Sequence, residues 1–239
     1  MISKVRVYGI DESFAASKYP MSVNVDECTS ELTETIKNLG SCEKGSGHDN
    51  FLNGIIVQFD LTLSIKAWIE AERYHFLDFV SSQSTIHKIV HMDIDKSCNE
   101  YVTEAAKKNL KLCVDVYNET KSKEDYLIVL HNIPTGFELT ARMTTNYRQL
   151  KTIYDQRIAH VLPEWREVCE WIYILPKFKE ICLDNAKKET RAKWITQVGG
   201  GGFNEWVELR CSNCRGVLRQ DEDYKKYKYC PFCGAKMEG

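Results

Sequence analysis

The sequence predicts an α+β fold, a helix-and-sheet domain followed by a small zinc ribbon with four cysteine ligands. Three observations lead there. Residues 54–63, GIIVQFDLTL, form a β-branched, partly alternating run that reads as a strand. Several longer stretches repeat apolar residues at three- and four-residue spacing, the pattern of helices with one buried face. Near the C-terminus, Cys211-x-x-Cys214 and Cys230-x-x-Cys233 are separated by 15 residues, a spacing that suits a tetrahedral metal site. With 239 residues, 43% hydrophobic and 28% charged, the chain has the composition of a protein able to bury a core. Its formal net charge of −2 predicts neither nucleic-acid nor membrane binding as a whole-chain property. The first residues, MISKVRVYGI, lack the apolar region of a signal peptide, and no apolar run is long enough to span a bilayer. The expected location is therefore cytoplasmic.

Taken in order, Lys4 to Tyr8 alternates valine with polar residues and reads as a first strand. Ser30 then precedes Leu32, Ile36 and Leu39, with Gly40 closing a short capped helix. Residues 42–53 turn to Gly, Ser, Asp and Asn, the composition of a loop. His48 sits there beside glycines that let the backbone approach a ligand, although a loop histidine is ordinarily a solvated residue. After the strand at 54–63, Ile65, Trp68, Ile69, Glu72, Phe76, Leu77 and Val80 follow helical spacing, which puts Arg73, Tyr74 and His75 inside a helix. Residues 101–117 give an amphipathic helix with Lys107, Lys108 and Lys111 as its solvated face. A charged loop at 118–125 and a short apolar run at 126–130 follow.

The segment 144–160, TTNYRQLKTIYDQRIAH, places Leu150, Ile153, Tyr154, Ile158 and Val161 on one helix face. Arg157 lies seven positions after Leu150 and four after Ile153, so it leaves from the edge of that buried stripe. Such an arginine snorkels or meets an anion, and Asp155 and Glu164 are the ordinary candidates. Pro163 suits the first turn of a further helix, whose apolar positions run from Trp165 to Leu175. Residues 182–194 read as a lysine-rich helix or helix end, and the glycines of QVGGGGF at 197–203 as a hinge. The expected organisation is a helix-and-sheet domain at 1–196, a Gly-rich linker at 197–204 and the ribbon at 205–239.

Of ten cysteines, six are scattered singly and four form the two pairs of the ribbon. Four thiolates at about 2.3 Å close a tetrahedral zinc site and leave no open position, so Cys211, Cys214, Cys230 and Cys233 are expected to hold a structural Zn2+. A segment that short buries too little apolar surface alone, so the metal would supply much of its folding free energy. Disulfides are the other reading of the pairs, and a reducing compartment disfavours them. Arg215, Arg219, Lys225, Lys226 and Lys228 alternate with Tyr224, Tyr227 and Tyr229, a composition suited to nucleic acid or a partner protein, while Asp221, Glu222 and Asp223 oppose that field.

The order Asn146-x-Arg148, Arg157, His160 and Glu164-Trp165 resembles the C-terminal half of the flavin-dependent thymidylate synthases, the ThyX family. Upstream, Gly47-His48-Asp49 precedes a strand and then Arg73-Tyr74-His75, in the order of that family's Gly-His-Glu segment and Arg-His-Arg signature. The resemblance covers about residues 1–185 and leaves out the ribbon. It implies a ThyX-like fold, FAD as cofactor, and dUMP or another pyrimidine nucleotide as substrate. It also implies methylenetetrahydrofolate as carbon donor, NADPH as reductant, and sites built between the subunits of a homotetramer. His48, Arg73, His75, Asn146 and Arg148 would then hold flavin or nucleotide, Arg157 the nucleotide phosphate, and Ser84 would stand for the signature serine at the catalytic position. The sequence departs from the signature in having Tyr74 and His75 after Arg73, no Asn-Glu pair, and SSQS at 81–84 followed by His87 and Lys88. Two functions follow. One is a FAD-dependent enzyme that methylates dUMP or carries out a variant pyrimidine modification. The other is a non-catalytic relative that sequesters or senses a nucleotide, with the ribbon on a partner or nucleic acid.

Overall fold

The computed structural model describes residues 1–43, 46–183, 191–199, 206–212, 217–219 and 236–237. The chain divides into two compact units, Met1–Asp184 and Asn185–Gly239. The first is built on a four-stranded antiparallel sheet of β1 (Ile2–Tyr8), β2 (Ile56–Ser64), β3 (Asp78–Ser82) and β4 (Glu138–Asn146), in the order β1-β2-β4-β3. The β2–β4 ladder is unbroken from Ile56↔Asn146 to Ser64↔Glu138. Alternation sorts its side chains: Val57, Phe59, Leu61 and Leu63 are all buried, while Thr62 and Thr140 face each other with hydroxyls 2.7 Å apart.

The helices are α1 (Ile10–Ala16), α2 (Glu34–Gly40), α3 (Ile65–Ala71), α4 (Thr85–Lys88), α5 (Ile94–Ser97), α6 (Glu104–Thr120), α7 (Lys123–His131), α8 (Tyr147–Arg157) and α9 (Pro163–Tyr173). The main core joins the inner face of the sheet to Tyr147, Leu150 and Ile153 of α8, Trp165, Val168 and Ile172 of α9, and Phe178. A second cluster, with Ile89, Leu110, Val114, Val129 and Phe137, lies under α6 and α7. Both long strands pass into helices with no spare residue. Ser64 ends β2 and its side chain accepts the Ala67 N–H at 3.2 Å; Asn146 ends β4 and accepts the Gln149 N–H at 2.8 Å. Gly9 links β1 to α1 at φ 76°, where a side chain would also overlap the Gly54 carbonyl oxygen.

Several boundaries differ from those the sequence suggests. The helix expected to run from Ile65 to Val80 stops at Ala71, and Asp78–Ser82 instead forms β3 on the edge of the sheet. Strand pairing to Thr144, Met143, Arg142 and Ala141 satisfies backbone groups of this stretch, and the apolar spacing that looked helical is shared between a helix, a turn and a strand. Arg73, Tyr74 and His75 therefore occupy a turn, closed by Tyr74 N–H to Ala71 O and Leu77 N–H to Tyr74 O. Residues 144–146 belong to β4, and α8 ends at Arg157, so Ile158 is exposed and Val161 is 82% exposed rather than on a buried face. Thr33, not Ser30, caps α2. The charged stretch at 118–125 is the end of α6 and the start of α7, divided by Lys121 in the left-handed region at φ 52°.

In the second unit, β6 (Trp194–Gly199), β7 (Trp206–Cys211) and β8 (Val217–Arg219) form an antiparallel sheet, and β5 (Arg191–Ala192) pairs in parallel with β9 (Lys236–Met237). Residues 197–199, expected to open a linker, are the end of β6 and pair with 206–208. Residues 191–196, expected in the first domain, belong to this unit.

Phe59 sets the cost of disturbing the main core. It is fully buried with its ring 4.5 Å from that of Trp171. Phe59→Ala is expected to lower unfolding free energy by about 3–5 kcal/mol in urea titration.

Candidate functional site

The register of β2 on β4 puts the N-terminus of α8 beside the segment that follows α2. Asn146 opposes Ile56, and the Tyr147 N–H bonds to the Ile55 carbonyl at 3.0 Å. At this junction Asp49 is only 2% exposed. Its Oδ1 accepts from Arg148 Nε at 3.0 Å and its Oδ2 from Lys151 Nζ at 3.2 Å. Lys151, 4% exposed, also donates to the Gly40 and Cys42 carbonyls at 2.8 Å each. Above this group lies a cavity of about 210 Å³ lined by Asp49, Asn53, Phe76, Asn146, Arg148, Gln149, Lys151 and Thr152. The cap occupies Asn146 Oδ1 and leaves Nδ2 unused by it; the Asp49 bond occupies Arg148 Nε and leaves both Nη groups unused by it. The Arg148 side chain is 35% exposed, so this cavity offers a cationic fork, carboxamides and an aromatic face to a ligand.

Arg157 closes a second polar cluster. Its Nη1 lies 3.0 Å from Glu70 Oε2, and its Nε donates to the Tyr74 hydroxyl at 2.7 Å. Its guanidinium stacks 4.9 Å from the Trp165 ring centroid. The same Glu70 oxygen accepts from Trp165 Nε1 at 3.1 Å and lies 3.3 Å from His160 Nε2, while Lys66 Nζ approaches Oε1 at 3.1 Å. The anion that the sequence demanded for Arg157 is thus Glu70, 87 residues earlier in the chain. Glu164 instead accepts from Ser64 Oγ at 2.6 Å. Burial pushes the Glu70 carboxyl up, but the Lys66 hydrogen bond and the charges of His160, Lys66 and Arg157 together hold it below its ordinary value. Burial raises Tyr74, against the pull of the Arg157 hydrogen bond and charge.

Arg73 and His75 are exposed in the turn before β3, a turn held to β4 by Thr145 Oγ1 donating to the Phe76 carbonyl at 2.6 Å. Ser84 stands half-buried after the end of β3, ahead of α4. His48 is exposed and lines a separate cavity of about 1180 Å³ with Lys18, Met21, Cys28, Ile36 and Phe51. The structure therefore joins Asn146 and Arg148 in one cavity and places Arg73, His75, Ser84, His48 and Arg157 outside its lining. It also adds Lys151, which sequence reasoning missed. Lys151 falls four after Tyr147 and three before Tyr154, inside a helix stripe that is otherwise apolar, and a lysine there is the same signal that singled out Arg157.

In the second unit, Cys211 ends β7 and is buried, with Trp194 opposite it in the ladder. The adjacent Ser212 and Lys193 exchange two hydrogen bonds of 2.9 Å. Cys214, Cys230 and Cys233 lie outside the described residues. Among the described residues there is no group of three His, Cys, Asp or Glu that could hold a metal ion. No helix among them is long and apolar enough to cross a membrane.

The Glu70 cluster has a pH signature. Its folded pKa lies below the ordinary 4.5, so the unfolded chain takes up the proton first. The cluster's contribution is present above about pH 4.5 and is lost as pH falls through the lower, folded value. Urea unfolding measured from pH 7 to pH 3 is expected to show that loss in the wild type, and Glu70→Gln to remove this part of the slope.

No protein-family model matches the sequence, and no curated protein matches it. Solved structures do. The flavin-dependent thymidylate synthase ThyX from Helicobacter pylori complexed with FAD and dUMP gives a TM-score of 0.59 at 15% identity, over 78% of this chain and 100% of that one. A second structure of Helicobacter pylori ThyX with FAD and dUMP gives 0.61 at 14% identity, over 79% and 100%. At such identity the likeness is one of architecture: the chain carries a ThyX-like α+β fold.

Proposed function

We propose that the chain binds FAD and a pyrimidine deoxynucleotide and acts as a thymidylate synthase-like enzyme, methylating dUMP or carrying out a variant pyrimidine modification. The observation that carries this reading is the meeting of Asn146 and Arg148 over Asp49 in one cavity, within a fold similar to that of an enzyme solved with FAD and dUMP. The residues fit such ligands. A cavity of about 210 Å³ takes a ring-sized fragment rather than a whole dinucleotide. The amides of Asn53, Asn146 and Gln149 match the donor and acceptor edge of a pyrimidine or flavin ring, Phe76 offers a face, and Arg148 takes an anionic group. The cleft of about 1180 Å³ lined by His48 offers room for more of the cofactor.

In this reading His48, Arg73, His75, Asn146 and Arg148 hold flavin or nucleotide, Arg157 holds the nucleotide phosphate and Ser84 takes the catalytic position. Bound FAD would supply the redox chemistry, with NADPH as reductant and methylenetetrahydrofolate as carbon donor. Arg157 reaches a phosphate only by sharing or exchanging Glu70. Arg73 and His75, exposed on one protomer, suit a site completed by another subunit of a homotetramer. The second unit is proposed to hold Zn2+ through Cys211, Cys214, Cys230 and Cys233 and to contact a partner or nucleic acid; the spacing of the two Cys-x-x-Cys pairs suits four thiolates on one ion. The proposed location is the cytoplasm. The engagement of Arg157 by Glu70 and the missing Asn-Glu pair favour a second reading, a nucleotide-binding relative without methyl transfer.

The test is the visible spectrum of the purified protein with FAD, followed by titration with dUMP. A bound flavin whose spectrum responds to dUMP is expected, and Arg148→Ala should weaken that response by about 10- to 100-fold, the worth of a charge-assisted hydrogen bond. Nucleotide binding without flavin would leave the second reading; binding of neither would overturn both. For the ribbon, elemental analysis is expected to find one zinc per chain, and Cys230→Ser with Cys233→Ser should abolish it while leaving flavin binding intact.

A further inference from the structure

We propose that Lys151 is a positioning residue, an internal cation that clamps the segment carrying Asp49 onto α8 and thereby holds Arg148 toward the cavity. The inference rests on the reading of that cavity as a ligand site. A lysine ammonium has three donors. Here each has an acceptor: the Gly40 carbonyl at the end of α2, the Cys42 carbonyl two residues on, and Asp49 Oδ2. The chain therefore leaves this ammonium at Cys42 and returns to it at Asp49, so one side chain pins both ends of the segment. The Lys151 side chain is 6% exposed, which bars water from replacing any of the three.

Arg148 and Lys151 are three apart on α8, on one face, and Asp49 lies between them. The two cations share a single carboxylate, yet they are not equivalent. Lys151 is sealed in, whereas Arg148 uses only Nε on Asp49 and is partly exposed at the cavity. Lys151 thus satisfies the buried carboxylate from below, and Arg148 is left with its Nη groups for a ligand. Without Lys151, the Asp49 segment loses its anchor, and a buried carboxylate with one partner draws the Arg148 guanidinium down onto itself.

The test compares full-length wild type, Lys151→Met and Lys151→Arg by amide hydrogen exchange in the absence of ligand. The Asn50 and Leu52 amides bond to Gly47 and Asp49 carbonyls and report on the segment; Phe59 and Met143 in the β2–β4 ladder report on the core. Lys151→Met is expected to speed exchange at Asn50 and Leu52 by at least about tenfold with Phe59 and Met143 unchanged, and Lys151→Arg to recover part of it. Unchanged exchange at Asn50 and Leu52, or equal acceleration in the ladder, would overturn the proposal. Should Lys151→Met not fold, Asp49→Asn reads the same amides with the same expected pattern. The same variants are then titrated with FAD and dUMP, where Lys151→Met should bind at least about tenfold more weakly than wild type. If wild type itself binds neither, the functional reading fails while the exchange result still decides the role of Lys151 in the fold; if wild type binds and Lys151→Met binds equally well, the positioning role fails alone.

Discussion

The pairing of β2 with β4 is the constraint on which the first unit depends. Each strand hands over to a helix at a capping residue, Ser64 at one end of the ladder and Asn146 at the other. Because the two strands are antiparallel and in register over their whole length, the start of α8 falls beside the start of β2, and with it beside the segment bearing His48 and Asp49. A slip of one residue would move every buried side chain of β2 to the wrong face and carry Arg148 away from Asp49. The site is therefore a consequence of strand register before it is a consequence of any side chain.

Two carboxylates, the buried Asp49 and the half-buried Glu70, organise the polar groups around α8, and they do so differently. Glu70 gathers Arg157, Trp165, His160 and Lys66 and meets the arginine at the apolar rings of Tyr74 and Trp165, so the cluster is self-contained. Asp49 gathers Arg148 and Lys151 and leaves one arginine with donors to spare beside open space. Helix charges that look alike in the sequence thus divide into one that finishes a core and one that faces an open cavity.

Much of the fold was legible. The strand at β2, the helices α6, α8 and α9, and the proline start of α9 follow directly from periodicity and capping chemistry. The α3–β3 stretch was not, because Phe76, Leu77 and Val80 satisfy helical spacing while the open edge of β4 recruits their neighbours as a strand, and recruitment is a tertiary effect that no local window contains. For the site, the sequence marked Asn146, Arg148 and the His48–Asp49 segment, and the structure brings Asn146, Arg148 and Asp49 to one cavity. It also marked Arg157 as needing an anion, yet offered nearby acids for it; the actual carboxylate, Glu70, comes from another helix, and such long-range pairing leaves no trace in spacing.

Gly40 sits where α2 comes against the Ile181 carbonyl oxygen so tightly that a Cβ would overlap it, and its own carbonyl is one of the three acceptors of Lys151. The residue with the least chemistry in the chain is thus wired, through one carbonyl, to the most polar group in the interior. A methyl added there would act at a distance, shifting a helix end and with it the ammonium, the carboxylate and the guanidinium in turn. Anyone redesigning this scaffold around the cavity inherits that linkage: the packing of α2 and the charge presented to the cavity are one variable, and tuning the first retunes the second.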